Sequence, residues 1–157
     1  MVIKNFTPEG KSIGELLYSL DAFEVPPYQR DYSWQKEDLE DFWKDINKAN
    51  TDDYHFFGSM LFQTVIEGDN KRNYVIDGQQ RFTTISILLA VIRDLLNSGE
   101  IDDKVDASIN HQYLIKKITG NRQIKKFTLN LRNRDFFYHF ACNFWNTSTQ
   151  NNNCKNK

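Results

Sequence analysis

Apolar residues recur every three or four positions in two stretches near the N-terminus, 12–21 and 34–48, which predicts two amphipathic helices. Each stretch has a start signal. Ser12 and Glu15 fit a capping box, in which the two residues hydrogen-bond each other's backbone, and Ser33 is a favourable N-cap. The apolar stripe of the second helix consists of Leu39, Phe42, Trp43 and Ile46.

Alternating apolar residues and β-branched or aromatic runs predict three strands in the first half of the chain. Residues 23–25 alternate as a short strand, and the Pro-Pro pair that follows ends it, because proline has no N–H to donate to a ladder. Residues 55–66 form the second predicted strand and 72–76 the third. The polar turn between these two makes 56–76 a predicted β-hairpin.

The most apolar stretch of the chain follows Asp77-Gly78 and predicts a central helix. Its apolar positions are Phe82, Ile85, Leu88, Leu89, Ile92, Leu95 and Leu96. Further along, the pattern predicts a helix near 108–118, a strand at 125–131 and a helix at 135–145.

This mixture of a hairpin and several helices, without a regular βαβ alternation, predicts an α+β fold with a small β-sheet. We expect one domain over residues 1–145 and a polar disordered tail over 146–157. The longest apolar run is far shorter than the roughly 20 residues of a membrane helix. The two cysteines form no metal-type cluster and the N-terminus lacks a signal peptide, which favours a cytoplasmic protein without a membrane partner.

Charge is distributed unevenly along the chain, although the formal net charge is only −1. Residues 1–106 contain 20 acidic and 11 basic residues, whereas 107–157 contain 1 acidic and 9 basic residues. A basic segment of this kind could face a polyanion such as DNA, and residues 116–134 are the expected DNA contact. The alternative is a solvated surface near the acidic part of the domain.

The junction between the third strand and the central helix predicts an anion site. Backbone N–H groups at a helix start point outward and the helix dipole attracts negative charge. Arg81 adds a planar cation suited to phosphate oxygens, and Asp77 is a candidate ligand for a divalent metal or a water. The candidate residues here are Asp77, Gly78, Gln79, Gln80, Arg81, Thr83 and Thr84. The alternative is an ordinary Asp-Gly turn, although a turn alone does not need three long polar side chains.

A second motif, Tyr28-Gln29-Arg30, follows the Pro-Pro pair and repeats the Gln-Arg combination. Tyr28 could stack on a base, and Arg30 could bind a second phosphate. The alternative is a surface loop in which Arg30 pairs with a nearby acid.

Two segments, 25–46 and 55–92, together resemble the N-terminal domain of the GmrSD-type modification-dependent (type IV) restriction enzymes. The pattern reads Pro-x-Tyr-Gln-Arg-x-Tyr-x-Trp, then Phe-x-Gly-Ser, then Ile-Asp-Gly-Gln-Gln-Arg-x-Thr-Thr. The three blocks occur here in order, and the resemblance covers roughly 10–97, with Phe82 where the family often has Leu.

The resemblance implies a ParB/sulfiredoxin-like α+β fold and a role in bacterial defence against phage or modified DNA. It implies binding and hydrolysis of a nucleoside triphosphate (NTP), with Mg²⁺ as the expected cofactor. By this resemblance Asp77, Gln79, Gln80 and Arg81 would be catalytic. The nucleotide would be bound by Tyr28, Gln29, Arg30, Gly78, Arg81, Thr83 and Thr84. The family's His-Asn-His nuclease half is not matched, so we expect a separate nuclease domain or chain as a partner.

The mechanism expected from these residues is electrostatic. Arg81, the helix N–H groups and Arg30 would hold the phosphates, Asp77 would hold Mg²⁺ or a water, and the glutamines would orient the attacking water. No covalent nucleophile is required. Two alternatives stay open: a DNA-binding or protein-interaction module without catalysis, and a ParB-like nuclease.

Overall fold

The computed structural model describes residues 7–18, 22–48, 55–67, 70–98, 113, 115–117, 123–125, 127–130, 132–135 and 137. In chain order the elements are α1 Ile13–Tyr18, β1 Phe23–Glu24, α2 Lys36–Lys48, β2 Leu61–Glu67, β3 Asn70–Asp77, α3 Gln79–Ser98, β4 Ile115–Lys117, β5 Gln123–Lys125 and β6 Phe127–Thr128. The predicted disordered tail, 146–157, lies outside the described residues.

A four-stranded sheet in the order β2-β3-β1-β6 forms the centre of the domain. Strands β2 and β3 are the antiparallel hairpin expected from the sequence, whereas β1 runs parallel to both of its neighbours. In this register Phe23 lies opposite Asn73 on one side and Phe127 on the other. Strands β4 and β5 form a separate antiparallel pair. The prediction of an α+β fold with a small sheet is therefore confirmed.

Phe82, in the first turn of α3, is the centre of the hydrophobic core. Its side chain is 1% exposed. Its ring centroid lies 4.7 Å from that of Phe127, 5.2 Å from that of Phe23 and 6.1 Å from that of Phe62. Because these three partners come from β6, β1 and β2, one aromatic ring joins the helix to three strands of the sheet.

The central helix begins directly after Gly78, which adopts a φ of 85°. A Cβ at this position would lie 2.8 Å from Met60 Cγ, so glycine permits both the turn and the close approach of the neighbouring strand. The first half of α3 is buried on most sides, whereas Ile92, Asp94, Leu95 and Leu96 in its second half are partly exposed. Within the part of the chain described, no helix combines the length and the apolar character needed to cross a membrane.

Helix α1 begins with the capping box expected from the sequence. The Ser12 backbone N–H donates to Glu15 Oε2 at 2.8 Å, and the Glu15 N–H donates to Ser12 Oγ at 3.1 Å. The Ser12 backbone N–H and hydroxyl both donate to the Glu15 carboxylate, and these two hydrogen bonds lower the pKa of Glu15.

Three predicted elements differ from the structure. The strand expected at 55–66 begins only at Leu61, because Gly58 has a φ of 88° and turns the backbone away from the sheet. The helix predicted near 108–118 is wrong at Ile115–Lys117, which form a strand paired with β5. The strand predicted at 125–131 differs as well, since Lys125 is the last residue of β5, β6 comprises Phe127–Thr128, and residues 129–130 are not in a strand. A helical turn follows at 132–135. The helix predicted at 135–145 lies mostly outside the described residues.

Candidate functional site

The two sequence motifs lie side by side, although about fifty residues separate them along the chain. Gln29 Nε2 donates to the Ile76 carbonyl at 2.9 Å, at the end of β3. The Tyr32 hydroxyl lies 2.9 Å from Thr84 Oγ1, one turn into α3. The loop after β1 is thus attached to the strand–helix junction at both of its ends.

The two glutamines of the helix motif point inward and hold this loop by its backbone. Gln79 Nε2 donates to the Arg30 carbonyl at 2.8 Å, and Gln80 Nε2 donates to the Asp31 carbonyl at 3.1 Å. Gln80 Oε1 also accepts from the Ser33 N–H at 2.9 Å. Both side chains are buried, with exposures of 8% and 6%. Both amide nitrogens are therefore engaged with the loop, whereas the buried Gln79 Oε1 has no hydrogen-bond partner among the described residues. The expected role of the glutamines in orienting a water stays a prediction.

Arg81 holds a second loop, the one that carries the Phe-x-Gly-Ser block. Its Nη1 donates to the Phe57 carbonyl at 2.8 Å and its Nη2 donates to the Ser59 carbonyl at 2.9 Å. Gly58, between these two carbonyls, has no side chain to obstruct the guanidinium, and a Cβ there would overlap Nη1. The guanidinium keeps further N–H donors and is only half-buried, so binding of a phosphate by Arg81 stays a prediction.

At the start of α3 the two threonine hydroxyls are also engaged. Thr83 Oγ1 donates to the Gln79 carbonyl at 2.7 Å, and Thr84 Oγ1 donates to the Gln80 carbonyl at 2.9 Å. The backbone N–H of Phe82 is the first that bonds within the helix, to the Gly78 carbonyl at 2.9 Å. Among the described residues, the backbone N–H groups of Gln79, Gln80 and Arg81 have no hydrogen-bond acceptor. Unpaired N–H groups at a helix start and the helix dipole attract anions in general, and the anion site expected here stays a prediction.

Three of the predicted site residues point outward into solvent. Tyr28 is 75% exposed, and Arg30 and Asp77 are exposed as well. In the ranges that the structure describes, the side chains of these three residues make no hydrogen bond or ion pair. The predicted residues thus divide into an inward group that joins the loops to α3 and an outward group with free functional groups.

A divalent cation fits the outward group only in part. Among the described residues, no three His, Cys, Asp or Glu side chains come together as a metal site. Asp77 is nevertheless an exposed carboxylate at the end of β3, and Mg²⁺ in phosphate-binding proteins is often held by one or two carboxylates together with phosphate oxygens and waters. Asp77 therefore suits a metal that arrives with a nucleotide.

Asn130 is a member of this network that the sequence motifs did not identify. It follows β6 and is 5% exposed. Its Nδ2 donates to Asp31 Oδ1 at 2.9 Å and lies 3.2 Å and 3.3 Å from the carbonyls of Gln29 and Arg30. Arg132 Nη1 reaches the other oxygen of Asp31 at 3.3 Å. No local signal marks Asn130, because its partners lie about a hundred residues earlier.

The expected DNA-binding segment, 116–134, is described only in part. Of its basic residues, Arg132 has a side chain 85% exposed and Arg134 Nη2 lies 3.4 Å from Glu24 Oε1. The expected contact with DNA stays a prediction.

Comparison with known proteins identifies one family. The family model of the GmrSD restriction endonuclease N-terminal domain matches residues 13–157, which is most of the chain. A search of curated proteins finds no match.

Proposed function

The chain belongs to the family of GmrSD restriction endonuclease N-terminal domains, and from this premise we propose that it binds a nucleoside triphosphate on behalf of such a restriction enzyme. One observation supports the proposal most directly. Tyr28, Arg30 and Asp77 present unpaired aromatic, cationic and anionic groups on segments that buried hydrogen bonds attach to the start of α3.

The three exposed side chains offer the chemistry that a nucleotide needs. The Arg30 guanidinium would pair with phosphate oxygens in a fork geometry, and the Tyr28 ring offers a flat surface for a base. Asp77 would hold Mg²⁺, which neutralises phosphate charge when bound. The positive end of α3 would add a favourable field for the same phosphates.

We propose that the inward residues position these groups. Gln79 and Gln80 fix the backbone of Arg30 and Asp31, while Arg81 fixes the loop around Gly58. Preorganised groups cost less entropy to order when the ligand binds. Hydrolysis would follow the electrostatic course of phosphoryl transfer, in which Arg30 stabilises charge that develops on the phosphate oxygens.

Arg30→Ala is the sharpest test, because this side chain is exposed and its loss should leave the fold intact. We expect the Kd for an NTP to rise by roughly tenfold or more, since a charge-assisted contact is lost. Isothermal titration with a panel of NTPs and Mg²⁺ measures it, with an unchanged thermal midpoint as the check on folding.

Arg72→Ala is the matched control, since Arg72 is an exposed arginine on β3, paired in register with Val65 and distant from the helix junction. It should bind nucleotide like the wild type. The proposal fails if the folded wild-type protein binds none of the NTPs.

Phosphate release from the same panel separates binding from catalysis. If Asp77→Asn still binds the NTP but releases phosphate much more slowly than the wild type, the domain is a hydrolase. Binding without turnover in the wild type would make the domain a nucleotide sensor. Binding of DNA instead of nucleotide, weakened steeply by salt, would favour the non-catalytic alternative.

A further inference from the structure

We infer that Asn130 is a positioning residue that holds the loop of Arg30 in the conformation required for ligand binding, an inference that rests on the proposed nucleotide site. Asn130 is buried, and all the hydrogen bonds of its Nδ2 within the described residues go to this loop: two backbone carbonyls and the carboxylate of Asp31. Its Oδ1 has no hydrogen-bond partner among the described residues. It does not reach the outward side chains, so it acts through the backbone.

The carbonyl of Arg30 is the point at which two distant segments meet. Gln79 Nε2 donates to it from α3 at 2.8 Å, and Asn130 Nδ2 approaches it at 3.3 Å. A carbonyl oxygen has two lone pairs and can accept both bonds. The backbone of Arg30 is therefore held by amides from two elements, while its guanidinium stays exposed.

The sheet explains why Asn130 reaches this loop. Strand β6 pairs with β1, and the Val25 N–H donates to the Thr128 carbonyl at 2.9 Å. The segments that follow β1 and β6 leave the sheet in the same direction, because the two strands are parallel. The residues after β6 therefore run beside the residues after β1. The Asn130 carbonyl then accepts from the Arg134 N–H at 3.0 Å, which begins the following helical turn.

Hydrogen exchange tests the inference without any ligand. In Asn130→Ala, we expect the hydrogen-bonded amides of Gln29 and Ser33 to exchange about tenfold faster, which is the effect of a lost buried hydrogen bond. The amides of β2 and β3 should keep their protection. Asn130→Asp, which has nearly the same volume, should be at least as disruptive, because its carboxylate would face the two carbonyls and the Asp31 carboxylate.

The control is Asn73→Ala, which removes another buried amide whose Nδ2 donates to the Ala22 carbonyl at 3.2 Å. It should leave exchange of the Gln29 and Ser33 amides unchanged. If Asn130→Asp exchanges like the wild type, Asn130 only fills space and the inference is wrong. Where Asn130→Ala does not fold, Asp31→Ala removes the 2.9 Å bond from the other side and should accelerate the same amides.

Nucleotide affinity gives the second readout. Asn130→Ala should weaken NTP binding by about tenfold in the wild-type background and have little further effect in Arg30→Ala, because it acts through Arg30. Equal losses in both backgrounds would overturn the inference. If the wild type binds no NTP, the proposed function fails, whereas the exchange data still decide whether Asn130 holds the loop.

Discussion

Gly58 shows how one residue without a side chain permits a close contact between a loop and a guanidinium. Its φ of 88° is a conformation that other residues rarely adopt, and a Cβ would overlap the Arg81 guanidinium. The carbonyls on either side of it both accept from Arg81. The Phe-x-Gly-Ser block and the Gln-Gln-Arg block therefore contact each other directly, since Arg81 of the second block donates to carbonyls of the first.

Gly58→Ala should lower the free energy of unfolding by about 1–3 kcal/mol, because it adds backbone strain and displaces Arg81. Urea denaturation measures the loss. Gly14→Ala is the control: Gly14 lies in α1, where a Cβ would meet only Ser12 Oγ at 3.8 Å. This change should raise stability by about 0.5–1 kcal/mol. Equal stability of Gly58→Ala and the wild type would contradict the geometry.

The starts of two helices could be predicted from neighbouring residues alone, whereas one of the strands could not. The start of α1 could be predicted because Ser12 and Glu15 act within one turn, and the start of α3 because Gly78 ends the strand before it. Ile115–Lys117 was predicted as a helix and is a strand, because its partner Gln123–Lys125 determines its conformation. Strand formation depends on a partner that local periodicity does not show.

The apolar face of helix α2 is a second case in which local periodicity does not determine the tertiary contacts. The spacing correctly predicted an amphipathic helix, but Leu39 is 40% exposed and Trp43 is 53% exposed. Phe42 packs against the rings of Trp34 and Phe57 instead. Periodicity shows that a helix has an apolar face, whereas the share of that face that is buried depends on the neighbouring elements.

The capping box of α1 predicts a pH effect. Because hydrogen bonds from Ser12 lower the pKa of Glu15 in the folded protein, this carboxylate contributes stability above its ordinary value of 4.5. The contribution is lost as the pH falls through the lowered pKa of the folded state. Ser12→Ala removes the hydroxyl bond to Glu15 Oε2 (2.9 Å) and keeps the backbone bond, so NMR titration should show the Glu15 pKa moving part of the way back toward its ordinary value. An unchanged pKa in this variant would show that the Ser12 hydroxyl does not contribute to the lowered value.

For the whole molecule, the site depends on contacts that only the complete fold creates. The family resemblance implied that Tyr28-Gln29-Arg30 faces the helix junction, and the structure brings these segments together. They did not predict that the glutamines point inward. They also did not identify Asn130, since pairing of β6 with β1 places it beside the loop.

Phe82 connects this site to the core, since it follows Arg81 directly and contacts rings from three strands. Phe82→Leu should therefore lower the free energy of unfolding by about 1–3 kcal/mol. Phe56→Leu is the matched control, because Phe56 is 79% exposed and should tolerate the change. Chemical denaturation compares the two. Equal midpoints would show that the ring contacts around Phe82 add no stability.

The short strand β1 also determines when the domain can be completed during synthesis. Its neighbours in the sheet are β3, about fifty residues later, and β6, about a hundred residues later. At ribosomal rates of about 5–20 residues per second, roughly 5–20 s pass between the synthesis of Phe23 and that of Phe127. During this interval one edge of β1 has no partner strand from β6. A nascent chain paused before β6 should therefore expose this edge and be more susceptible to protease or to chaperone binding than the finished domain.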